Sequence, residues 1–477
     1  MNRNNIWIHL SIAVVLISLA AVIGQIERWK VALVDPPLSA VRNEPSRMPV
    51  SCKFRNVEKR SPEVLVRFKP GVSLDQIRSI AAGNHDAVVD EIEAVRGLTE
   101  IDDLDNATAE SVAEQYGRMT DIVVYAEPNY AISLDEPSQA PSTIDLLHRE
   151  AADNTPNDPQ FEQQWALNNS GQDGGKEHAD ISALKAWTKT HGSTDVVVAV
   201  LDSGVDYTHT DLRANMWLRP DNLGAYFDDE LGAFNDENGF NGTDAAADPM
   251  DDNGHGTHCA GIIGAEGDNN EGIAGINWNV EIMPLKFLGR GGFGTTGDAI
   301  KAINYAIDRK EKGVNVRVIN ASWGSTSKSK ALEDTIRAAG DAGILFVAAA
   351  GNNGSNNDRR PHYPSNYDLP NVISVAALDR SDSLTSFSNW GVKRVHVAAP
   401  GKDILSTWLN DDYRDASGTS MAAPQVAGVA ALIVAQNPRI TVQQLRERVL
   451  KSVDVLDSLK GKIATGGRIN AAKAVGE

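Results

Sequence analysis

The alternation of apolar and polar positions changes along the chain and divides it into segments. Residues 1–24 carry Arg3 and then an almost unbroken apolar run, an arrangement typical of an export signal. Counted over residues 6–24, the run approaches the roughly 18–20 residues that span a bilayer. We therefore predict a signal peptide, with an uncleaved membrane anchor as the alternative. Residues 25–61 are polar, contain several prolines and are predicted to be a linker.

The next segment, residues 62–134, combines strand-like alternation with helical spacing. Its order is β-α-β-β-α-β, which suggests a small α+β domain of the ferredoxin-like type. The predicted strands are 64–68, 88–95, 99–104 and 122–132, and the predicted helices are 74–82 and 107–119. Residues 135–154 are rich in Pro, Ser, Asp and Glu and have no period. Exposed linkers of this kind are natural sites of proteolytic cleavage.

Residues 155–477 alternate short apolar runs with segments of helical spacing. The predicted strands are 196–202, 281–288, 316–322, 344–350, 372–377 and 395–399, and the predicted helices include 296–312 and 327–342. Continuous apolar strands between helices predict an α/β fold, with a doubly wound, mostly parallel sheet covered by helices on both faces. In such sheets the functional site lies beyond the carboxyl ends of the strands.

Composition and charge narrow the classes of function. The chain has 477 residues and 42% apolar residues, so more than one domain and a sizeable core are expected. Its formal charge of −19 argues against nucleic acid or an anionic membrane as a partner. The two cysteines, Cys52 and Cys259, lie in different predicted domains, so no disulfide framework is expected.

Three polar residues are candidates for the functional site, and each has a structural as well as a functional interpretation. Asp202 follows an apolar strand and is either a turn residue or a buried, ionised carboxylate. Asn352 also follows a strand. It is either a turn residue or a residue whose side-chain N–H donates to a developing oxyanion. His255 lies between glycines. The spacing His255/His258 could bind a metal, but the glutamate of H-E-x-x-H is absent and no third ligand is near.

Ser420 opens the apolar run that ends at Ala435, directly after Gly418 and Thr419. A serine at this place is either a helix N-cap or a nucleophile exposed on a sharp turn at the positive end of the helix dipole. The stretch by itself favours the cap.

Taken together, the segments Asp202-Ser203-Gly204, His255-Gly256-Thr257-His258 and Gly418–Pro424 resemble the three signature motifs of the subtilase family, in its order Asp, His, Ser. The resemblance implies a serine endopeptidase in which Ser420 is the nucleophile and His255 the general base and acid. Asp202 would orient the imidazole, and Asn352 with the backbone N–H of Ser420 would hold the oxyanion. An esterase of the α/β-hydrolase type is disfavoured because no Gly-x-Ser-x-Gly elbow is present.

The resemblance extends to the segment before this domain. The stretch Tyr125–Tyr130 resembles the end of the inhibitory propeptide of secreted subtilases, so residues 62–134 are predicted to inhibit and assist the folding of the domain at 155–477. The sequence thus predicts a self-processing zymogen that is exported to the periplasm or the medium, remains a monomer and cleaves proteins and peptides. A catalytically inactive subtilase-fold binding protein is the alternative.

Two edges are implied to bind an extended peptide. Gly291 and Gly292 belong to a glycine-rich loop that lacks the Lys-Ser/Thr of a phosphate-binding loop, and the opposite edge comprises Ser322, Trp323 and Gly324. By the same resemblance, His362 is expected near the floor of the primary specificity pocket, where it would narrow the pocket or favour an acidic side chain.

A calcium site is also implied. It resembles that of the thermitase-like subtilases, and hard oxygen ligands suit Ca²⁺. The implied ligands are the side chains of Asp158, Asp211 and Asn269, with Asn270 as the alternative to Asn269, and the carbonyls of Gly267, Glu271 and Ile273. A second acidic run is interpreted as a solvated loop, with a further cation site as the alternative; it comprises Asp228, Asp229, Asp236, Asp248, Asp251 and Asp252. Cys259 is expected to be a buried free thiol.

Overall fold

The computed structural model describes residues 64–134, 155–228, 231–234, 236–244 and 248–476. The described residues all belong to one compact unit within Arg60–Glu477. The predicted signal peptide or anchor at 1–24 and the linkers at 25–61 and 135–154 lie outside the described residues.

The first described segment forms a four-stranded antiparallel sheet with two helices. The strands are β1 (Val64–Phe68), β2 (Asp86–Glu91), β3 (Leu98–Asp103) and β4 (Val123–Pro128), and the helices are α1 (Leu74–Gly83) and α2 (Ala109–Gly117). The order in the sheet is β2-β3-β1-β4, and the predicted β-α-β-β-α-β order is confirmed. The predicted last strand, 122–132, is in fact two strands. After β4 the chain leaves this sheet, and β5 (Ala131–Ser133) pairs elsewhere.

A second, larger sheet contains nine strands within the described residues, in the order β18-β19-β15-β14-β13-β12-β6-β10-β9. Its strands are β6 (Gly192–Asp202), β9 (Phe240–Asn241), β10 (Asn279–Lys286), β12 (Val316–Ala321), β13 (Leu345–Ala349), β14 (Val372–Leu378), β15 (Val397–Pro400), β18 (Val453–Val455) and β19 (Gly467–Ile469). Every pairing is parallel except that of β18 with β19. The predicted doubly wound α/β class is confirmed.

Helices cover both faces of this sheet. They are α3 (Ala183–Trp187), α4 (His255–Gly264), α5 (Thr296–Glu311), α6 (Lys330–Asp341), α7 (Thr419–Gln436), α8 (Val442–Lys451) and α9 (Ala471–Val475). Apart from the edge strand β18 and the first residues of β6 and β10, the strands are buried. Separate apolar clusters form on the two sides of the sheet, which explains the continuous apolar sequences of its strands. Short strand pairs lie outside the main sheet, namely β7 (Phe227–Asp228) with β8 (Gly232–Ala233) and β16 (Ile404–Trp408) with β17 (Asp412–Ala416).

Helix α7 is the apolar centre of this domain. Residues Thr419–Val434 are all buried, because Ala and Val on every face contact the surrounding strands and helices. Among the described residues, α7 is the helix that is long and apolar enough by length and composition to cross a membrane, but 89% of its apolar window is buried inside the protein. It is therefore a core helix.

The strand order brings the candidate residues to one edge. β6, β12 and β13 are neighbours in the sheet, and they end at Asp202, Ala321 and Ala349. Because parallel strands end at the same edge, the segments that follow them lie side by side, as the rule for sites in parallel sheets predicts.

Candidate active site

Asp202 and His255 are in direct contact. Nδ1 of His255 lies 2.8 Å from Oδ1 of Asp202, and the same oxygen accepts the Ser203 N–H at 2.7 Å. Asp202 is fully buried at the end of β6, and His255 is the first residue of α4. Gly256 allows the approach, because a Cβ there would lie 2.0 Å from the Gly204 carbonyl oxygen. The contact fixes the imidazole and leaves Nε2 on the side away from Asp202.

Ser420 is the second residue of α7, and its hydroxyl does not cap the helix. Gly418 occupies the N-cap position, where there is no side-chain cap bond. The Ser420 hydroxyl instead donates a hydrogen bond to the Ser322 carbonyl at 2.9 Å, while the Ser322 hydroxyl donates to the Ser420 carbonyl at 2.7 Å. The interpretation of Ser420 as a helix cap is therefore wrong.

Asn352 is tied to the residue before Ser420. Its Oδ1 accepts the Thr419 N–H at 2.9 Å and the Thr419 hydroxyl at 3.0 Å. The Thr419 hydroxyl oxygen also accepts the Gly351 N–H at 3.1 Å. Because Oδ1 faces Thr419, the amide nitrogen of Asn352 is directed away from it.

The acidic run before His255 contains a buried carboxylate that joins the Asp202 and His255 segments. Asp251 accepts the Ser203 hydroxyl at 2.9 Å and, at the start of α4, the Gly254 N–H at 3.0 Å. It also accepts the N–H and hydroxyl of Thr257, at 3.0 and 2.6 Å. Burial raises the pKa of Asp251, and these hydrogen bonds oppose the rise.

The interpretation of this acidic run as a solvated loop is therefore wrong for Asp251. It is also wrong for Asp228 and Asp236, which are 2% and 1% exposed. Asp236 is paired with Arg219 at 3.0 Å and with Arg309 at 3.2 Å. The sequence pattern does not distinguish these buried carboxylates from surface ones, because partners such as Ser203 for Asp251 and Arg309 for Asp236 lie far along the chain.

The two predicted peptide-binding edges enclose a strand of the protein itself. β5 pairs antiparallel with β11 (Phe293–Thr295), and the Leu134 N–H donates to the Gly292 carbonyl at 3.0 Å. On its other side, Ser133 forms an antiparallel bridge with Gly324. Residues 131–134 therefore lie between the glycine-rich loop, which also contains Gly291, and the edge at 322–324.

The side chain of Trp323 points away from this strand. It is 1% exposed, its Nε1–H donates to the Leu201 carbonyl at 2.9 Å, and its ring packs on Phe287. The backbone of this edge faces the peptide strand, while the indole anchors the edge to the core.

His362 lies beside the same edge. A Cβ on Gly324 would be 2.0 Å from Cε1 of His362, and a Cβ on Gly351 would be 3.0 Å from its Cδ2. The following residue, Tyr363, exchanges backbone hydrogen bonds with Ser325 at 2.7 and 2.8 Å. The imidazole therefore occupies the space between the peptide-binding edge and the segment that carries Asn352.

Cys259 and His258 are buried near Ser420 and His255. The Cys259 thiol is free and lies 3.5 Å from the Ser420 carbonyl oxygen, and burial raises its pKa well above the usual value. The His258 Nε2 lies 3.0 Å from the Ile404 carbonyl and 2.9 Å from that of Arg414, and burial lowers its pKa to about 4. His258 is thus held by backbone carbonyls, and its contacts do not form a metal site with His255.

Asp158 and Asp211, which the resemblance implies as calcium ligands, approach the loop 267–273. Asp158 accepts the Asp268 N–H at 2.8 Å. Asp211 accepts the Asn269 side-chain N–H and the Ile273 N–H, both at 2.9 Å. Within the loop, the Glu271 N–H donates to Asn269 Oδ1 at 2.8 Å. Gly267 lies against Trp278, because a Cβ there would be 2.5 Å from the indole ring.

The carboxylate oxygens and the negative charge beside this loop suit a hard cation. Oδ1 of Asp158 is buried and has no hydrogen-bond partner among the described residues. Burial raises the pKa of Asp211 to about 7, and the Asp158 carboxylate adds to the rise. A divalent cation would bind the unpaired oxygen and reduce the repulsion between the two carboxylates.

Asn157 and Tyr413 also contact this site. Asn157 Oδ1 accepts the Asn270 N–H at 2.6 Å, and the Tyr413 hydroxyl donates to Asp211 at 3.2 Å. The resemblance did not include Tyr413.

An aspartate ends a central parallel strand, a histidine in contact with it begins one helix, and a serine lies in the first turn of another. This is the arrangement of a serine hydrolase. The family model of the subtilases, peptidase family S8, matches residues 193–471, and the chain belongs to this family. It is therefore a serine-type endopeptidase, and proteins or peptides are its substrates.

Individual relatives agree with this assignment. A thermophilic serine proteinase of Bacillus sp. (strain AK1) is 34% identical over 414 residues, which cover 87% of each chain. Thermitase of Thermoactinomyces vulgaris is 36% identical over 321 residues, 67% of this chain and 99% of thermitase. A solved protease structure from Pseudoalteromonas arctica PAMC 21717 covers 67% of this chain and 98% of its own, with 31% identity and a TM-score of 0.55.

Proposed function

We propose that the endopeptidase works through an acyl-enzyme on Ser420. The Ser420 hydroxyl attacks the carbonyl carbon of the scissile peptide and passes its proton to Nε2 of His255. Asp202, at 2.8 Å from Nδ1, keeps the proton of the neutral ring on that nitrogen and stabilises the imidazolium that forms. His255 then gives the proton to the leaving amine, and water, activated by the same base, hydrolyses the ester.

Asn352 and the backbone N–H of Ser420 would stabilise the oxyanion of the tetrahedral intermediates. The paired hydrogen bonds from Thr419 to Asn352 Oδ1 support this role, because they prevent the amide from turning its oxygen towards the developing negative charge. The donor is thus oriented before the substrate arrives.

Residues 62–134 would act as an intramolecular inhibitor that assists folding. β5 lies between the two peptide-binding edges in the manner of a bound peptide. The adjoining side chains cap the helices of the protease domain. Asn129 accepts the Gly297 N–H of α5 at 2.8 Å, and Glu127 accepts the N–H groups of Lys330 and Ala331 at the start of α6, at 2.8 and 3.0 Å.

We further propose that the protein is exported, processed within 133–157 and stabilised by Ca²⁺. The buried and unpaired Asp158 oxygen next to Asp211 supports the cation site. Asp158, Asp211 and Asn269 would bind the ion, with the carbonyls of the 267–273 loop. The bound cation would neutralise buried negative charge and hold the loop closed.

The contact of Asp202 with His255 carries the proposed mechanism, together with the hydrogen bond that holds the Ser420 hydroxyl at the peptide-binding edge. A variant and its matched control test it. Ser420→Ala should remain as full-length precursor and lack casein hydrolysis. The matched control Ser417→Ala removes a nearby hydroxyl, bonded to Asp403, and should process normally. A fluorophosphonate should label the processed wild-type protein on Ser420. If the processed protein takes no label, it is a binding protein with a protease fold. If Ser420→Ala is processed normally, processing is not autocatalytic.

A further inference from the structure

The contact between the first segment and α5 contains two buried acidic side chains. Asp90 and Glu100 lie directly opposite each other in the antiparallel pairing of β2 with β3, so both side chains are on the same face of that sheet. They are 1% and 0% exposed. Oε1 of Glu100 and Oδ1 of Asp90 have no hydrogen-bond partner among the described residues, and Oε2 of Glu100 is held only by an ion pair with Lys301.

The charges around this pair do not balance. Lys301 of α5 is the nearby cation, with Nζ 3.4 Å from Glu100 and 3.3 Å from Asp298, so two carboxylates share it. Asp228 adds negative charge from the protease domain, and the exposed Glu93, three residues after Asp90, adds more beside Asp90. Tyr226 is close by, but burial and these carboxylates raise its pKa, so it stays neutral. Ionising every carboxylate would bury a clear excess of negative charge.

Another acidic residue at the same interface, Asp334, has a lowered pKa, unlike Asp90 and Glu100. Asp334 of α6 accepts hydrogen bonds from Tyr125 at 3.0 Å and from Lys330 at 2.6 Å, and it also pairs with Arg67. These donors outweigh its burial, and its pKa is lowered. Asp334 therefore strengthens the interface at neutral pH, and a pH-dependent weakness would have to come from Asp90 and Glu100.

We propose that the Asp90–Glu100 pair makes the contact between the propeptide segment and the protease domain pH-dependent, so that a rise in pH promotes release of the processed segment. The inference rests on the proposed role of residues 62–134 as an inhibitor. The signal that ends inhibition would be a rise in pH, and Lys301 of the protease domain, paired with Glu100, would oppose release.

The direction of the effect follows from proton linkage. Burial is the largest cause that raises the pKa of both carboxyl groups, Glu100 adds to the rise at Asp90, and the Asp228 carboxylate adds to the rise at both. When the segment leaves, both groups reach water and recover ordinary carboxyl pKa values. The closed state therefore holds more protons, is favoured at low pH and weakens as the pH rises through the raised values. One linked proton changes the closing equilibrium by up to about tenfold per pH unit.

The test measures release in the full-length, self-processed protein. After processing is complete on a gel, samples are incubated between pH 5 and pH 9 in constant calcium, and active enzyme is then read at one common pH. For the wild-type protein the appearance of activity should accelerate with rising pH. In Asp90→Asn/Glu100→Gln, whose amides stay neutral, the acceleration should be at least tenfold smaller. Lys301→Met should release its segment faster than wild type at neutral pH but not at pH 5.

Matched controls separate this effect from other titrations. Asp121→Asn removes an exposed carboxylate of the same segment and should keep the wild-type pH dependence. If a variant does not fold, hydrogen exchange in the Ser420→Ala precursor, corrected for intrinsic rates, should show β5 opening more often at pH 8 than at pH 5.5. Equal pH dependence in wild type and the double amide variant, or pH-independent opening of β5, would overturn the inference. If no activity appears at any pH, the proposed function itself fails.

Discussion

The Ser420 hydroxyl donates to the Ser322 carbonyl at 2.9 Å, and the Ser322 hydroxyl donates to the Ser420 carbonyl at 2.7 Å. This reciprocal pair joins the start of α7 to the segment that follows β12. That segment also forms the edge bridged to Ser133 through Gly324. Residues 322–324 therefore position both the proposed nucleophile and the bound peptide strand. Substitutions and the position of the processing cut can test this arrangement.

Replacing Asn352 should affect the rate of the chemical step. Asn352→Ala is expected to lower kcat by about 10²–10³-fold, the range known for one such donor in subtilisin, with little change in KM. Asn352→Asp is the matched control, since it keeps the acceptor for both Thr419 hydrogen bonds and removes the N–H donor. Steady-state kinetics on a peptide amide distinguish the roles. If Asn352→Asp were fully active, Asn352 would only support Thr419.

Calcium should stabilise the protein more at pH 8 than at pH 5. Burial raises the pKa of Asp211 to about 7 from 3.8, so the folded, metal-free protein holds a proton there that the unfolded chain has lost. Its stability contribution therefore falls as the pH rises between those values. Calcium binds the ionised carboxylate and should add about 2.7 kcal/mol at a concentration of 100 times Kd.

Thermal unfolding of the mature enzyme, inactivated with a sulfonyl fluoride to prevent self-digestion, measures this effect with calcium or with a chelator. Asp211→Asn should lose the calcium increment and weaken the pH dependence of the metal-free protein, whereas the exposed Asp195, changed to Asn, should retain both. An equal calcium increment at pH 5 and pH 8 would contradict the assignment.

His362 should limit the side chain accepted before the scissile bond. Its ring occupies the space between Gly324 and Gly351, so His362→Gly should enlarge the pocket and raise kcat/KM for large apolar side chains relative to small or acidic ones by about 10–200-fold. His362→Asn keeps a polar group of smaller size and should shift the preference less. Cleavage profiling of a peptide library provides the measurement, and a wild-type preference for large apolar residues would contradict this role.

The position of processing follows from strand register. In a peptide that continues the antiparallel pairing of Ser133 with Gly324, the second residue after Ser133 is opposite Ser322, whose carbonyl accepts the Ser420 hydroxyl. In this chain that residue is Asp135. We therefore expect the first cut between Asp135 and Glu136, and N-terminal sequencing of the earliest product should begin at Glu136. A first cut elsewhere would show that the register changes on the way to the cleavage site.

The fold and the main candidates were predictable because their signals are local. A buried parallel strand such as 196–202 is continuously apolar, and the residue that follows it is on the functional edge wherever that strand lies in the sheet. Strand and helix types were predicted correctly, with bounds that differ from the structure by a few residues. The apolar run after Ser420 likewise required burial on all sides.

Features that depend on distant partners were not predictable. Asp251 and the exposed Asp195 are the same type of residue, and only the fold brings the distant Ser203 to Asp251. The acidic pair Asp90 and Glu100 is buried by a helix about 200 residues further along the chain. The break between β4 and β5 was missed because both parts have strand-like sequence, and the pairing partner of β5 belongs to the other domain.

The burial of α7 determines how the enzyme loses activity when it is heated. Ser420 stands on the helix at the apolar centre of the domain, whereas the proposed cation loop is partly exposed. Local fraying cannot displace the proposed nucleophile, since moving it requires opening the core. Inactivation by heat should therefore be all-or-none for each molecule, and its rate should be governed by autolysis that begins at peripheral loops. A partly denatured population would then contain fully competent molecules that digest the rest.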